Sequence, residues 1–345
     1  MKKLYFVAFI VFLSILTGCE ESHEENQPVV LDSTENTKEV TEKETSPIKN
    51  TTISEFSVEN QHFKFIPLLD SYYKYADHME QNPLDSRSET FSSKVLQPFR
   101  EEAFGEERGV FLEYEPQFEP PRNASKIKDD VQMLDKEYDH ILSLVKDSLE
   151  KSSKMLPVGS TTNVYLIPFN PNYLNFMREM DGAYGLASSN VIMLFINPEY
   201  LKDNDDHIKY ITAHEYQHTA HYSSSQPQQP DLIIYSLREG EADTFAQMLY
   251  PEQKPEWTKE LTAREVDAIW EWAIKNRQTN DRNVFNEFVE TGNSMIPKKS
   301  AYRLGYEIMQ DFISRNPNVS VEDWSSMDPI EIINQTKYAN KVKNE

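Results

Sequence analysis

The segment His214-Glu215-Tyr216-Gln217-His218 constrains what this chain can fold into more than any other part of its sequence. In an α-helix, residues four positions apart lie on the same face, one turn from each other, so the two imidazoles can bind a single Zn²⁺. Glu215 then lies beside the ion, where its carboxylate can act as the general base toward a water molecule activated there. We therefore expect a helix with His214 and His218 as metal ligands and Glu215 as the catalytic base.

A catalytic zinc site needs a third protein ligand and one open position. The chain has a single cysteine, so histidines and carboxylates are the available ligands. His221 lies on the same helix but about 10.5 Å of axial rise from His214, too far for one ion with bonds of about 2.1 Å. The metzincin motif is also excluded, because positions 221 and 224 hold histidine and serine where that motif needs glycine and histidine.

The third ligand is predicted in the acidic segment Glu239-Gly240-Glu241-Ala242-Asp243, which lies on the next helix. Glu239 is the predicted ligand, and Glu241, two positions further on, is the alternative. Asp243 follows Glu239 by one helical turn, so it can accept a hydrogen bond from the second nitrogen of a ligating imidazole and fix its tautomer. The sequence thus predicts a His₂Glu zinc site with Asp243 supporting one histidine.

Amide hydrolysis at such a site also needs a donor, besides the metal, to stabilise the oxyanion that forms. Tyr302, Tyr306 and His221 are the candidates. We favour Tyr306, because Gly305 before it leaves room for a close approach. The alternative for each tyrosine is an aromatic side chain that belongs to the core of an amphipathic helix.

The pattern of apolar residues predicts a small sheet and many helices. Strands are expected over residues 56–65, 163–169 and 191–196, and turns are expected between the last two, where Gly182 and Gly185 lie. Helical spacing is found over residues 67–79, 89–104, 127–152, 206–222, 237–249, 263–274, 302–314 and 328–335. Few strands, grouped just before the helix that carries the histidines, indicate the α+β class.

Several of these segments together resemble the bacterial family named domain of unknown function 2268, which consists of predicted zinc-dependent proteases. The resemblance rests on the predicted strand pair, the HEYQH helix, residues 238–243 (REGEAD) and residues 302–308 (YRLGYEI). It extends over about residues 85–340. It implies one zincin-like metallopeptidase domain of the gluzincin type over residues 56–345, with a mostly helical N-terminal part to about 155 and a catalytic core from 156.

In folds of that kind, a strand near the HExxH helix forms the edge of the sheet and pairs with an extended substrate peptide. Residues 191–196, or the strand next to them, are the candidates in this chain. The alternative is that residues 191–196 form a buried central strand.

The N-terminus is typical of an exported lipoprotein. Residues 1–18 combine a charged start with an apolar run that is too short to span a bilayer, which predicts a signal peptide. Leu16-Thr17-Gly18-Cys19 resembles a bacterial lipobox, so Cys19 is predicted to carry a lipid such as palmitate. The alternatives are an ordinary signal peptide or an uncleaved anchor.

Residues 19–55 are acidic and contain no aromatic residue, which predicts a disordered tether because little apolar surface is available for burial. Tether and lipid together predict a protein anchored in the cell membrane, with its domain on the extracytoplasmic face.

The charge of the chain restricts its partners. A formal net charge of −22 argues against nucleic acid as a partner, because phosphate binding needs an excess of lysine and arginine. A peptide or protein substrate and, through Cys19, the membrane are the predicted partners. The predicted function is zinc-dependent endopeptidase activity at the membrane surface. The alternative is a non-catalytic or regulatory peptide-binding lipoprotein, whereas a solute-binding lipoprotein would need two α/β lobes that the helix-rich second half does not offer.

Overall fold

The computed structural model describes residues 47–105, 109–202, 204–222 and 231–342, and for residues 221 and 222 it describes the backbone alone. These residues belong to one compact unit. Within them, no helix has both the length and the apolar character needed to cross a membrane. The predicted signal peptide and Cys19 lie outside the described residues.

A five-stranded mixed sheet forms one layer of the fold, with the strand order β1-β2-β3-β5-β4. The strands are β1 (Ser54–Val58), β2 (Gln61–Pro67), β3 (Thr161–Pro168), β4 (Ala183–Ser188) and β5 (Val191–Ile196). The central strands β2, β3 and β5 run parallel, and the two outer strands are antiparallel to their neighbours. Strand β5 is buried along its whole length, as expected for a parallel strand covered on both faces.

Helices make up most of the remaining structure. The α-helices are α1 (Leu69–Gln81), α2 (Arg87–Phe91), α3 (Gln97–Phe104), α4 (Ala124–Lys136), α5 (Tyr138–Met155), α6 (Leu174–Glu179), α7 (Asp205–Tyr222), α8 (Leu232–Leu249), α9 (Ala263–Lys275), α10 (Arg282–Asn286), α11 (Ser300–Arg315), α12 (Val321–Ser326), α13 (Pro329–Asn334) and α14 (Ala339–Val342). Short 3₁₀ turns lie at Val110–Tyr114, Pro116–Phe118, Pro171–Tyr173, Pro198–Tyr200 and Glu256–Thr258, and π-helical turns at Ser92–Leu96 and Glu287–Thr291. The predicted α+β class is confirmed.

Helix α7 is the central helix of the fold, because it contacts α5, α8 and strands β4 and β5. It is buried on several sides, with Ile208, Tyr210, Ala213 and Tyr216 all in the core. The hydroxyl oxygen of Tyr216 also lies 2.7 Å from the side-chain oxygen of Gln61 and 2.7 Å from the carbonyl oxygen of Leu156, so its one proton is hydrogen-bonded outside its own helix. The helix that carries both histidines is therefore held firmly against the sheet.

One prediction about the sheet was wrong, and the topology decides which of the two candidate strands forms the edge. The residues around Gly185 form strand β4 instead of a turn, because they pair with β5 from Ala183–Ile196 to Ser188–Val191. Several of these residues are small and most are partly exposed, so the segment lacks the apolar pattern typical of a strand. Strand β5 is then an interior strand, as the alternative held, and the sheet edge nearest to α7 is β4.

The first strand and its flanks also differ from expectation. Residues 56–65 belong to a hairpin of two strands, β1 and β2, with Glu59 at a positive φ of 50° in the turn between them. The packed chain begins before Phe56, because Ile48 is buried and the backbone N–H of Asn50 donates to the Asp135 carboxylate at 2.8 Å. The domain thus includes residues that the acidic composition assigned to the tether.

Helix α8 begins five residues earlier than the predicted Leu237, at Leu232. Asp231 caps its N-terminus by accepting hydrogen bonds from the N–H groups of Ile233 and Ile234. Arg277 holds this cap in place, with its Nε 2.6 Å from the Asp231 carboxylate. Only the folded chain brings Arg277 to this position, but the Asp231 cap itself is a signal in the sequence.

Helices α8 and α11 touch through their backbones at two glycines. A methyl group on Gly305 would lie 1.7 Å from the carbonyl oxygen of Ser236, and one on Gly240 would lie 2.0 Å from the carbonyl carbon of Gly305. Neither glycine has a positive φ, so the absence of a side chain is what each position requires. Gly305 therefore makes room for α8, and not for a substrate beside Tyr306.

We predict that Gly305→Ala destabilises the protein although alanine is the better helix former. Helix propensity favours alanine by about 1 kcal/mol, but the methyl group must push two backbones apart, and overpacking of this kind costs about 1–3 kcal/mol or more. Chemical denaturation should give a free energy of unfolding lower than that of the parent. Ser314→Ala, an exposed change on the same helix, is the control, and a stabilised Gly305→Ala variant would contradict the close contact.

Candidate metal centre

Two helices bring three potential ligands together. His214 and His218 lie one turn apart on α7, with ring centroids 4.9 Å from each other, and Glu239 approaches them from α8. The two imidazole Nε2 atoms are 3.2 Å apart. Oε2 of Glu239 lies 3.4 Å from Nε2 of His214 and 3.6 Å from Nε2 of His218. The three atoms thus form a nearly equilateral triangle.

The shape of this triangle fits a zinc ion. Ligand atoms in a tetrahedral site with bonds of about 2.0–2.1 Å are separated by about 3.4 Å, and all three measured separations are close to that value. Oε2 of Glu239 is buried and accepts no hydrogen bond from the described residues, which is costly for a carboxylate without a cation. The donor set of two imidazoles and one carboxylate is also one of the sets found in catalytic zinc sites.

Asp243 supports His214 from the side opposite to the triangle. Its Oδ1 lies 3.1 Å from Nδ1 of His214, so Nδ1 carries the proton and the lone pair of Nε2 faces His218 and Glu239. Burial by itself lowers the pKa of His214, but the carboxylates of Asp243, Glu239 and Glu215 together raise that pKa well above its usual value. The role expected for Asp243 thus agrees with this geometry.

Glu239 is held in its ionised form. Burial by itself raises the pKa of Glu239, but the imidazoles of His218 and His214 have the larger combined effect and bring that pKa below its usual value. A carboxylate that stays ionised is the form that a metal ion binds.

Glu215 lies next to the histidines and directly under the edge strand β4. Burial raises the pKa of its carboxyl group, and the nearby His214 and His218 oppose that shift. Gly185 of β4 contacts this side chain so closely that a methyl group on Gly185 would lie 2.4 Å from Cγ of Glu215 and 2.6 Å from Oε1. The glycine that the sequence placed in a turn therefore leaves space for the predicted base.

Glu241, the alternative ligand, does not belong to the triangle. It is fully buried and pairs with Arg238 on the same helix, with 2.9 Å between Nη1 of Arg238 and Oε2 of Glu241. Among the described residues, the group of histidines and carboxylates that could hold one ion consists of His214, His218 and Glu239. The side chain of His221 lies outside the described residues.

The tyrosines around the site are arranged differently from expectation. The hydroxyl of Tyr306, the favoured oxyanion donor, donates a hydrogen bond to Gln247, so it is turned toward α8. By contrast, Glu239 is among the charges that raise the pKa of Tyr235 and Tyr302, where burial has the largest effect. Tyr302 was a candidate from the sequence, whereas Tyr235 was missed. It lies four residues before Glu239 on the same helix face, in the turn that the predicted start at Leu237 had left out.

Fold and site together define an α+β protein with a His₂Glu donor set on two adjacent helices and a buried glutamate beside it. Residues 141–334, more than half of the chain, match the family model described as "Predicted Zn-dependent protease (DUF2268)". The chain belongs to this family, as its motifs predicted, and the match includes both motif-bearing helices. No curated protein and no solved structure matches the chain.

We predict that Glu239→Gln severely weakens zinc binding and that Glu241→Gln does not. Both changes remove one buried carboxylate, but only Glu239 points at the two imidazoles, whereas Glu241 faces Arg238. Zinc content after dialysis, measured by atomic emission together with circular dichroism, distinguishes loss of metal from loss of fold. Equal zinc retention by both folded variants would contradict the assignment of Glu239 as a ligand.

Proposed function

We propose that this protein is a zinc-dependent peptidase that hydrolyses peptide bonds with Glu215 as the general base. One observation carries the proposal: the triangle of His214, His218 and Glu239 has the spacing of a zinc site, with Glu215 beside it. The family assignment supports this reading, because its members are predicted Zn-dependent proteases.

In the proposed reaction, His214, His218 and Glu239 hold the metal. A zinc ion at this position would polarise the scissile carbonyl and lower the pKa of water. The Glu215 carboxylate takes the proton from the attacking water and then delivers it to the nitrogen of the leaving amine, so that the peptide C–N bond breaks without a free amide anion. Burial of Glu215 favours the first step, because a raised pKa makes its carboxylate a stronger base toward water.

The substrate is proposed to bind as an extended peptide along β4. This strand pairs with β5 on one side and lies at the end of the sheet order, and no further strand among the described residues pairs with its other side, where a peptide could add. Gly185 lies in this strand and contacts Glu215, which would place the backbone of a peptide paired with β4 close to the base.

Tyr235 and Tyr302 are the proposed donors for the oxyanion. Both are half-buried, and both are close enough to Glu239 for its charge to affect their pKa. Their burial keeps the phenols protonated, as a hydrogen-bond donor must be. Tyr306 is less suitable, because its hydroxyl donates to Gln247 and Glu239 is not among the charges that affect its pKa.

We further propose that the protein acts outside the cytoplasm, anchored in the cell membrane by a lipid on Cys19 and separated from it by the acidic segment before the domain. The support for this comes from the sequence of residues 1–19, with its lipobox. The net charge of −22 supports a peptide or protein substrate over nucleic acid.

We predict that Glu215→Gln abolishes most peptide cleavage while zinc content and melting temperature stay near those of the parent. The amide cannot take a proton from water, and general base catalysis is worth about 10²–10⁴-fold. Cleavage of a fluorogenic peptide library at matched zinc occupancy is the measurement, with Glu241→Gln as the control for loss of a buried carboxylate.

Two results would count against this proposal. Cleavage by Glu215→Gln at the parental rate would exclude Glu215 as the base. A parent protein that holds zinc and binds extended peptides, but cleaves none of a broad library, would instead support a peptide-binding lipoprotein.

We also predict that Gly185→Ala lowers cleavage by about 10²-fold, the effect that a displacement of a catalytic group by about 1 Å can have. The added methyl group collides with the Glu215 side chain, which must move, whereas the three metal ligands are not in this contact. Zinc affinity should therefore remain parental. Ala187→Ser, two residues further along β4, is the control and should cleave normally, and equal activity of both variants would show that Gly185 does not set the position of Glu215.

A further inference from the structure

The carboxylate of Asp243 receives hydrogen bonds from three side chains. Its Oδ1 lies 2.8 Å from the hydroxyl of Tyr210 and 3.1 Å from Nδ1 of His214, both on α7. Its Oδ2 lies 2.8 Å from Nε1 of Trp257, in the 3₁₀ turn Glu256–Thr258. Asp243 has no exposed surface, so these donors replace the water that would otherwise solvate it.

Trp257 has a distinct part in this arrangement. The two donors from α7 share Oδ1, and a carboxylate held at one oxygen can still rotate about that oxygen. The indole N–H binds the other oxygen and so determines the plane of the carboxylate. Because the direction of the bond to His214 follows from that plane, Trp257 acts on the imidazole without touching it.

The position of Trp257 is itself well determined. Its indole is buried, and its ring packs against Tyr302 with 5.7 Å between centroids. The ammonium of Lys299 lies 5.8 Å from the Trp257 ring and 5.3 Å from the Tyr302 ring, within the range of cation–π contacts. Lys299 is in turn fixed by an ion pair of 2.5 Å with Glu290.

We propose that Trp257 is a positioning residue for the metal centre, which orients Asp243 and through it His214. The indole N–H, and not the bulk of the ring, is the group that fixes the orientation of the Asp243 carboxylate. This inference rests on the proposed metal site, but it is independent of whether the protein cleaves peptides.

The test compares zinc affinity in Trp257→Phe and Trp270→Phe, by competition with a chromogenic chelator at fixed pH. Trp270 is also buried, but its Nε1 has no hydrogen-bond partner among the described residues, so it controls for loss of an indole. Loss of a group that orients a metal ligand typically weakens metal binding by 10–100-fold. We expect a loss of about that size in Trp257→Phe and a change of less than about threefold in Trp270→Phe.

Two further measurements separate positioning from packing. Replacement of Trp257 by benzothienylalanine keeps the ring and puts sulfur in place of the N–H, so it should weaken zinc binding as Trp257→Phe does. In an Asp243→Ala background, Trp257→Phe should cause no additional loss, because the group it orients is absent.

Three outcomes would overturn the inference. Parental zinc affinity in Trp257→Phe would exclude a role for the indole in the metal centre. Parental affinity in the benzothienylalanine protein would assign any effect to ring packing, and an undiminished loss in the Asp243→Ala background would exclude the route through Asp243. A parent that binds no zinc would overturn the proposed metal site together with this inference. This outcome differs from the three above, because the parent and every variant would then behave alike.

Discussion

The hydrogen bonds that surround the buried carboxylate of Asp243 are the interactions on which the candidate metal site depends. An ionised carboxylate without water is costly unless hydrogen bonds replace its solvation, and here donors arrive from α7 and from the turn Glu256–Thr258. These bonds join α7, α8 and the turn in one arrangement. Because His214 is one of the donors, the hydrogen bonds that make burial of Asp243 tolerable also direct the imidazole toward His218 and Glu239.

Close backbone approach is the second requirement. Gly240 and Gly305 let α11 touch α8, which carries Glu239 and Asp243, and Gly185 lets β4 lie directly over Glu215. None of these glycines has a positive φ, so each position needs a missing side chain and not an unusual backbone conformation. Gly240 is thus explained by helix packing, whereas Glu239 and Asp243 belong to the candidate metal site.

Much of the site could be anticipated from local geometry, and the misses have identifiable causes. The spacing of His214 and His218 and the choice of Glu239 over Glu241 follow from helix periodicity, and the structure brings the expected three ligands together. Tyr235 was missed because the predicted α8 began after it, although the Asp231 cap marks the true start. The sequence does not predict strand β4, because a half-exposed edge strand that contains Gly185 has no apolar pattern. It favours Tyr306 as the oxyanion donor because Gly305 beside it suggests space for a substrate, whereas the structure shows that this space is taken by α8.

By itself, the sequence determined the α+β class, the family and the residues that a helix places on one face, because these depend on spacing within a single element. Only the tertiary structure decided which strand forms the edge beside Glu215, which tyrosines lie near Glu239 and which side chains surround Asp243. Trp257 and Tyr210 illustrate the difference, since they lie 14 and 33 residues from Asp243 and meet it only when α7, α8 and the turn pack together. Contacts of this kind depend on how elements pack, and the spacing of residues along the chain does not encode that packing.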